Sequence, residues 1–211
     1  MPSDPSAVKP RRDSAATKRR ILAAATEEFA ARGIAGARVD RIASAARANK
    51  RLIYDYFGGK DGLFDAVMDA QIGKVPDEVR IDDNDLPGYA GQLFDYIVGH
   101  PEVHRLVVWA TLEGRLGPTT REKAADFYRR RLAAIEAAQQ RGHATTRLTP
   151  PQILMLIESL CVGWLSTTPA FLAAGDHDAA EHNELPPLPG SAETSSQARA
   201  IILDSVRRLI T

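Results

Sequence analysis

The sequence predicts an all-α protein made of an N-terminal group of short helices and a C-terminal group of longer ones. Apolar residues recur at helical spacing through most of the 211-residue chain, and no segment alternates apolar and polar residues as a half-buried strand does. Glycine, proline and asparagine stand at the ends of these periodic segments, where helices start and stop. Charge is divided as well, because residues 1–74 carry 14 Lys and Arg against 9 Asp and Glu while the rest carries 13 against 18.

Composition excludes several classes of protein. A content of 44% hydrophobic and 26% charged residues is ordinary for a soluble globular protein, and no apolar run reaches the roughly 18 residues that span a membrane. The single cysteine, Cys161, permits neither an internal disulfide nor a cysteine-based metal cluster, so we expect a cytoplasmic protein. The sequence has no phosphate-binding glycine loop, nucleophile elbow or catalytic carboxylate pair, so we expect no enzyme, no catalytic residue and no cofactor.

The N-terminal part begins with a short arm and continues with four helices. Residues 1–13 hold three prolines, several cations and few apolar groups, so we expect a disordered basic arm. A first helix from Ser14 has apolar side chains on one face and ends at Gly33, a residue type that closes helices in the left-handed conformation. The three further helices are predicted at residues 39–46, 50–57 and 60 to about 73.

The second and third helices have the features of a helix-turn-helix. A turn of three or four residues joins them, Ala43 and Ala46 allow close approach, and Ile42 and Ile53 fill the space between them. The third helix would then lie along a DNA major groove, a partner that suits the basic charge of this part. The candidate DNA-contacting residues are Asn49, which is also a good N-cap, and Lys50, Arg51, Tyr54, Tyr56 and Lys60. A solvated basic helix with two surface tyrosines is the alternative interpretation.

The stretch from Ala16 to Val67 resembles the N-terminal DNA-binding domain of the tetracycline-repressor (TetR) family of bacterial regulators. The resemblance rests on FAARG at the end of the first helix, then IA, then IYDYFGGKDGLF, in the family's order. Two residues depart from the family's pattern: Arg38 stands where a Ser or Thr usually caps the second helix, and Arg47 stands where the turn usually has glycine. We expect a lost cap bond at the first and backbone strain at the second, each about 1 kcal/mol. Both arginines are candidates for phosphate contacts.

The C-terminal part is predicted to be helical. Its first periodic segments are residues 86–99, 101–116 and 119–141. Gly142 stops the third of these helices, and Thr149 caps the next one, which has two prolines in its first turn. That helix is apolar nearly all round over residues 153–165, so more than one of its sides must be covered.

A long loop and a last helix complete the prediction. Residues 175–197 contain five acidic residues and three prolines with no Lys or Arg, so we expect a flexible acidic loop there. The final helix is predicted at about residues 195–210. His100 and His104 have the spacing of helical metal ligands, but Pro101 places His100 before its helix, so we expect no metal site.

The resemblance implies that the larger domain binds a small ligand and forms a homodimer through its last two helices. The apolar segment 153–165 and the stripe 201–210 independently require cover, which a second copy would supply as a four-helix bundle. The candidate dimer residues are Leu160, Leu165, Ile202, Val206 and Leu209. The candidates for an apolar ligand pocket are Phe94, Trp109, Tyr128, Cys161 and Trp164, for which ordinary core packing is the alternative.

These observations predict three segments and one function. We expect a disordered basic arm at residues 1–13, a three-helix DNA-binding domain at 14–60, and a helical ligand-binding and dimerisation domain at 61–211. The function expected is sequence-specific transcriptional regulation, in which a small-molecule effector releases a repressor from a pseudo-palindromic double-stranded DNA operator. A non-specific DNA-coating protein and a regulator that activates transcription are the alternatives.

Overall fold

The computed structural model describes residues 11–73, 75, 79–166 and 192–211, and within these residues it contains helices and no strands. The all-α prediction is therefore confirmed for the described chain. The helices are α1 (Arg11–Gly36), α2 (Val39–Ala45), α3 (Lys50–Phe57), α4 (Lys60–Ile72), α5 (Leu86–Gly99), α6 (Pro101–Leu112), α7 (Pro118–Gln140), α8 (Pro150–Ser166) and α9 (Ala192–Ile210).

The described residues form two compact units. The N-terminal unit lies within residues 1–73 and 102–123, and the C-terminal unit lies within residues 74–101 and 124–211. The predicted boundary after residue 60 therefore does not coincide with the end of the first compact unit. The reason is that α4 contributes Leu63, Phe64, Val67 and Met68 to the same buried cluster as α1, α2 and α3.

The core of the N-terminal unit is a continuous apolar cluster. Phe29 of α1 and Phe64 of α4 meet edge to face, with ring centroids 5.2 Å apart. Ile42 of α2 and Ile53 of α3 are fully buried in the same cluster, and Leu106 of α6 also belongs to it. The two short helices are therefore fixed against α1 and α4 by side-chain burial rather than by their own length, which is too short for independent stability.

The break at Gly33 and the end of α3 agree with the sequence. Gly33 has φ 65° and ψ 177°, which interrupts α1 before one further turn to Gly36. Gly58 closes α3 with φ 74°. The start of α1 differs, because Arg11 is already helical although the basic arm was expected to extend to residue 13. The first ten residues of that arm lie outside the described residues.

The C-terminal unit packs α5 against α8 and α9. Cys161 of α8 is buried, and its Sγ donates to the carbonyl oxygen of Ala90 on α5 at 3.4 Å. Arg199 of α9 donates from Nε to Asp95 Oδ2 on α5 at 2.8 Å. The absence of a side chain at Gly91 permits this approach, since a Cβ there would lie 2.8 Å from Arg199 Nη2.

Helix ends in the C-terminal half agree with the sequence except at two places. The α6 helix ends at Leu112 rather than residue 116, and Gly114 follows it with φ 62°. The α9 helix begins at Ala192, so the last six residues of the predicted acidic loop are helical, while residues 175–191 lie outside the described chain. Gly142 has φ 75° after α7, as expected for the residue that stops a helix.

The described residues show neither a metal-binding cluster nor a helix that could span a membrane. The described residues contain no group of three or more His, Cys, Asp or Glu side chains that could hold a metal ion. His100 follows α5, where its ring stacks on Tyr96 with centroids 4.4 Å apart, and α6 starts at Pro101. His100 thus precedes the helix that carries His104, as the proline indicated. Among the helices in the described ranges, none has the length and apolar character needed to cross a membrane.

Candidate nucleic-acid interface

The helix-turn-helix is built from α2, a four-residue connection and α3. Ile42 and Ile53 are fully buried, and Ala43 and Ala46 are buried beside them. The expected role of these four residues at the contact between the two helices is therefore confirmed. Because α3 contributes its apolar side to this core, its other side is left exposed with Lys50, Arg51 and Tyr54.

Asn49 fixes the start of α3. Its Oδ1 accepts a hydrogen bond from the N–H of Arg51 at 2.8 Å, and its backbone is extended, as is usual for an N-cap residue. The predicted cap is confirmed. Since Oδ1 is occupied by the helix itself, Asn49 positions the cations that follow it, and the residue is exposed.

The connection between the helices carries the expected strain. Arg47 has φ 49°, and it is the one non-glycine residue with positive φ in the described part of the chain. The turn is closed by the N–H of Ala48, which donates to the carbonyl oxygen of Ala43 at 2.9 Å. A residue other than glycine in this conformation costs about 1 kcal/mol. The Arg47 side chain is exposed at this turn.

The start of α2 is held by a residue that the sequence did not reveal. Arg38 occupies the N-cap position and its side chain makes no cap bond. Instead, Oε1 of Glu28 on α1 accepts from the N–H of Arg38 at 3.0 Å and from Nε of Arg41 at 2.7 Å. Glu28 thus supplies an acceptor at the start of α2 from another helix. It bonds the N–H of the N-cap residue, a different donor from the first-turn N–H that a Ser or Thr at position 38 would bond. Nothing in the sequence indicated it, because the contact joins residues 10 and 13 positions apart.

The electrostatic environment of Glu28 keeps it ionised. Burial alone would raise the pKa of Glu28, but hydrogen bonds from the Arg41 side chain and the Arg38 N–H lower it, as do the charges of Arg41 and Arg32. The net result is a pKa below the ordinary value of 4.5. The carboxylate therefore stays charged at neutral pH and can hold α2 in place.

The two cations of α3 differ in their surroundings. Lys50 forms an ion pair with Asp40 of α2, with Nζ and Oδ1 2.8 Å apart. Arg51 is 86% exposed, and its Nε lies 3.8 Å from Asp55 Oδ2, which is too far for a hydrogen bond. Asp40 and Asp55 were not among the predicted DNA-contacting residues. Asp55 lies beside Arg51 by its spacing of four residues on the same helix, whereas the position of Asp40 beside Lys50 is visible only in the fold.

Two of the three further predicted residues have structural contacts. Tyr54 is exposed, but Tyr56 is half-buried, and the Lys18 ammonium lies 4.9 Å from its ring centroid. The Lys60 ammonium lies 3.4 Å from the carbonyl oxygen of Ala37 and 3.5 Å from that of Ala35. Lys60 therefore contacts the end of α1, and Tyr56 of α3 contacts Lys18. The predicted residues that are exposed are Arg38, Arg47, Asn49, Lys50, Arg51 and Tyr54.

The predicted pocket residues differ in their burial and do not all belong to the same compact unit. Phe94 and Cys161 are fully buried in the C-terminal unit, and Trp164 is half-buried there, but Tyr128 is exposed. Trp109 belongs to the N-terminal unit, where its ring lies over Gly33. Core packing therefore accounts for Phe94 and Cys161, and a pocket formed by these residues remains a prediction.

Two of the predicted dimer residues are wrong. Ile202 is 2% exposed and Val206 is fully buried within the chain itself, so neither can form the surface of an interface. Leu160 is exposed and Leu209 is half-buried, while the Leu165 side chain lies outside the described part. The exposed apolar side chains that the prediction missed on α8 and α9 are Met155 and Ile201.

A buried polar cluster in the C-terminal unit was also missed. Arg131 is 3% exposed and donates from Nε to Tyr89 Oη at 2.9 Å and from Nη2 to the carbonyl oxygen of Val79 at 3.2 Å. Burial raises the pKa of Tyr89 to about 12. Burial also raises the pKa of Glu158, although the charge of Arg131 lowers it in part. The long separations in sequence hide this cluster from pattern analysis.

Comparison with protein families gives two matches, one after the other along the chain. Residues 21–67 match the model described as "Bacterial regulatory proteins, tetR family". Residues 85–208 match the model described as "Tetracyclin repressor-like, C-terminal domain". The first match contains all of α2 and α3, and the second covers more than half of the chain.

Individual proteins give the same picture. The chain is 40% identical over 159 residues to the HTH-type transcriptional repressor SCO4008 of Streptomyces coelicolor, which covers 75% of this chain and 82% of that protein. The crystal structure of SCO4942 from the same organism superposes with a TM-score of 0.74 and 34% identity, covering 92% and 98% of the two chains. FadR of Bacillus subtilis, solved in complex with stearoyl-CoA, shares the fold with a TM-score of 0.61 and 16% identity, covering 92% and 99%.

Proposed function

Because the chain belongs to the TetR family of bacterial regulatory proteins and is a DNA-binding transcriptional repressor, we propose that it acts as a homodimer on a two-fold symmetric operator. TetR-family regulators are non-enzymatic DNA-binding proteins, so the chain is not an enzyme. We propose a cytoplasmic location, since bacterial chromosomal DNA lies there.

The observation that carries this proposal is the capped and exposed N-terminus of α3. A short helix can present side chains to base edges only if its position is fixed to within a fraction of an ångström. Asn49 caps the helix at 2.8 Å and Ile53 anchors it in the core, while Arg51 extends from the opposite face with 86% of its side chain exposed. A merely solvated basic helix would not need to be fixed in this way.

We assign different roles to the residues of this surface. Arg51 is the candidate for direct base contact, because its guanidinium can donate two parallel hydrogen bonds to guanine O6 and N7. Arg38, Arg47 and Tyr54 are candidates for phosphate contacts that set the orientation of the helix. Lys60 is reassigned from phosphate contact to bracing α1, since its ammonium already lies near two carbonyl oxygens.

The proposed homodimer would form through the outer faces of α8 and α9. Met155, Leu160 and Ile201 are exposed apolar side chains on these helices, and a second copy would cover them. Two copies of α3 would then lie about one turn of DNA apart, roughly 34 Å, over the two halves of the operator.

We further propose that a small-molecule effector binds the C-terminal unit and lowers the affinity for the operator. The FadR structure that shares this fold contains stearoyl-CoA, which supports an effector site in such a domain without indicating the chemistry of the ligand here. The effector would have to bind the operator-free conformation more tightly than the operator-bound one, because only that difference shifts the equilibrium.

The test begins with selection of binding sites from a random duplex pool by the purified full chain. The expected result is a two-fold symmetric consensus with tighter binding than to a scrambled duplex of equal length and composition, measured at fixed salt. Equal affinity for both duplexes would instead support a non-specific DNA-coating protein. A reporter gene placed behind the selected site would show lower expression with the protein than without it, whereas higher expression would indicate an activator.

A further inference from the structure

We propose that Asp40 is a specificity-determining residue, which holds the Lys50 ammonium in an ion pair and so directs it toward base edges rather than phosphates. The inference rests on the proposed function, because it concerns the same surface of α2 and α3. It adds a carboxylate to a surface for which only cations, tyrosines and one asparagine were predicted.

The geometry links the two helices at the point where DNA would be contacted. Asp40 lies in the first turn of α2, Lys50 is the first residue of α3, and their Oδ1 and Nζ atoms are 2.8 Å apart. Both side chains are exposed. The hydrogen bond from Lys50 to Asp40, and the charge of that carboxylate, raise the pKa of Lys50.

Lys50 differs from the other exposed cations of this surface in having a carboxylate within hydrogen-bond distance. Within the described chain, Arg38 and Arg47 have no carboxylate partner for their side chains, and Arg51 lies beyond hydrogen-bond distance of Asp55. Each cation of α3 thus has a carboxylate beside it, but only the one beside Lys50 lies within hydrogen-bond distance.

The ion pair between Lys50 and Asp40 should interact differently with phosphates and with base edges. Non-specific affinity comes from cations that displace counterions from phosphates, and a lysine whose charge is compensated displaces few. A lysine ammonium has three N–H donors, of which Asp40 occupies one, so two remain for neutral acceptors such as guanine O6 and N7. Lys50 can therefore contact a base without breaking the pair, whereas a phosphate would also face the Asp40 carboxylate.

A purely structural role for Asp40 is the competing explanation. An acidic residue in the first turn of a helix interacts favourably with the helix dipole, and exposed ion pairs contribute little to stability. Such a role would change the melting of the protein but not the salt dependence of its DNA binding. The experiment therefore measures the slope of log Kobs against log salt concentration.

The test compares Asp40→Asn with the wild type on the selected operator and on a scrambled duplex. Freeing one lysine for a phosphate should steepen the slope by about 0.9 per chain, or about 1.8 for the proposed dimer, so the dimer's affinity should fall about 12-fold more between 50 and 200 mM salt. At 50 mM salt, we expect a several-fold gain on the scrambled duplex and a smaller gain on the operator. The ratio of the two affinities should therefore decrease.

Two comparisons separate this effect from simple loss of a negative charge. Asp126→Asn removes the same charge from an exposed ion pair with Arg129 in the C-terminal unit, and it should leave the slope unchanged. In a Lys50→Ala background, Asp40→Asn should also have no effect on the slope, because the proposed mechanism acts through Lys50. An equal increase in that background would show that Asp40 only repels phosphates, and the proposal would be wrong.

The remaining outcomes are also decisive. Asp40→Ser is the second variant, for use if Asp40→Asn folds poorly. It removes the charge while keeping a residue type favoured at helix starts, and it should give the slope and affinity ratio that are expected for Asp40→Asn. If the wild type prefers its operator and both variants keep the wild-type slope and affinity ratio, this inference alone is refuted. If the wild type shows no preference between duplexes, the proposed function itself is refuted.

Discussion

Replacing Glu28 by alanine should destabilise the N-terminal unit more than the same substitution of its exposed neighbour Glu27, because the Glu28 side chain is only 12% exposed. The change removes the acceptor of the Arg38 N–H at 3.0 Å and of Arg41 Nε at 2.7 Å. The N–H of Arg38, the N-cap residue of α2, would lose its acceptor, because that acceptor is Oε1 of Glu28. Arg41 would keep only its bond to the carbonyl oxygen of Gly36.

The magnitude follows from the two interactions. Loss of the acceptor of a backbone N–H at a helix start costs about 1 kcal/mol. A charge-assisted hydrogen bond is worth about 1.5–3 kcal/mol when buried, but the Arg41 side chain is 37% exposed, so about 1 kcal/mol is the appropriate estimate. The total is about 2 kcal/mol, which corresponds to a melting temperature lower by about 4–8 °C in a protein of this size.

The assay is urea unfolding at pH 7 followed by circular dichroism at 222 nm. Glu27→Ala is the matched control, since Glu27 is the exposed neighbour on the same helix and the substitution has the same effect on helix propensity. We expect Glu28→Ala to lower the unfolding free energy by about 2 kcal/mol more than Glu27→Ala. A difference below about 0.5 kcal/mol would refute the assignment of Glu28 as the acceptor that holds the start of α2.

The same contact predicts a dependence on pH with a definite sign. The pKa of Glu28 in the folded chain is lower than its ordinary value of 4.5, so the folded state binds this proton less readily than the unfolded state does. Its stabilisation is therefore fully present above pH 4.5 and is lost as the pH falls through the folded pKa. The difference in unfolding free energy between wild type and Glu28→Gln should therefore decrease as the pH falls below 4.5.

Four further substitutions test the backbone and the helix faces. Arg47→Gly should raise the unfolding free energy by about 1 kcal/mol, because φ 49° is relaxed in glycine, and it should weaken DNA binding if Arg47 contacts a phosphate. Gly33→Ala should lower stability measurably in urea, since φ is 65° and the new Cβ would lie 3.0 Å from the Trp109 ring; an unchanged midpoint would contradict this. Ile201→Asp should weaken dimerisation in sedimentation experiments, because Ile201 is 48% exposed. Ile202→Ala should instead lower the unfolding free energy by about 2–5 kcal/mol, because Ile202 is buried. Loss of stability with Ile201→Asp and weaker dimerisation with Ile202→Ala would show that the faces of α9 are misassigned.

Features with local causes could be predicted from the sequence. The cap at Asn49, the strained turn at Arg47 and the glycine ends of α3 and α7 each depend on a few neighbouring residues, and all of them agree with the structure. The pairing of Ile42 with Ile53 was also accessible, because both lie on the apolar faces of short periodic segments. These features determine the shape of the helix-turn-helix.

Features that depend on tertiary contacts could not be predicted. Glu28 and Asp40 are ordinary surface acids in the sequence, and their roles arise only when α1, α2 and α3 meet. Arg131 is similar, because its partner Tyr89 is 42 residues away. Periodicity also cannot say whether an apolar stripe is covered by the same chain or by a second copy, and for this reason Ile202 was misassigned to the dimer.

Arg38 and Arg47 place positive charge on α2 and on the turn, while contacts from α1 hold these elements in position. At positions 38 and 47 a cap residue and a glycine would each favour folding by about 1 kcal/mol, so arginine at these places is unfavourable for local stability. The compensation comes from α1: Glu28 accepts from the N–H of Arg38, and Arg20 donates from Nε to the carbonyl oxygen of Ala46 at 3.2 Å, next to Arg47. Because α1 supplies the fixed geometry, α2 and the turn can carry exposed cations where DNA would lie. It follows that α2 and α3 transferred to another scaffold without α1 would keep the charges but lose their arrangement.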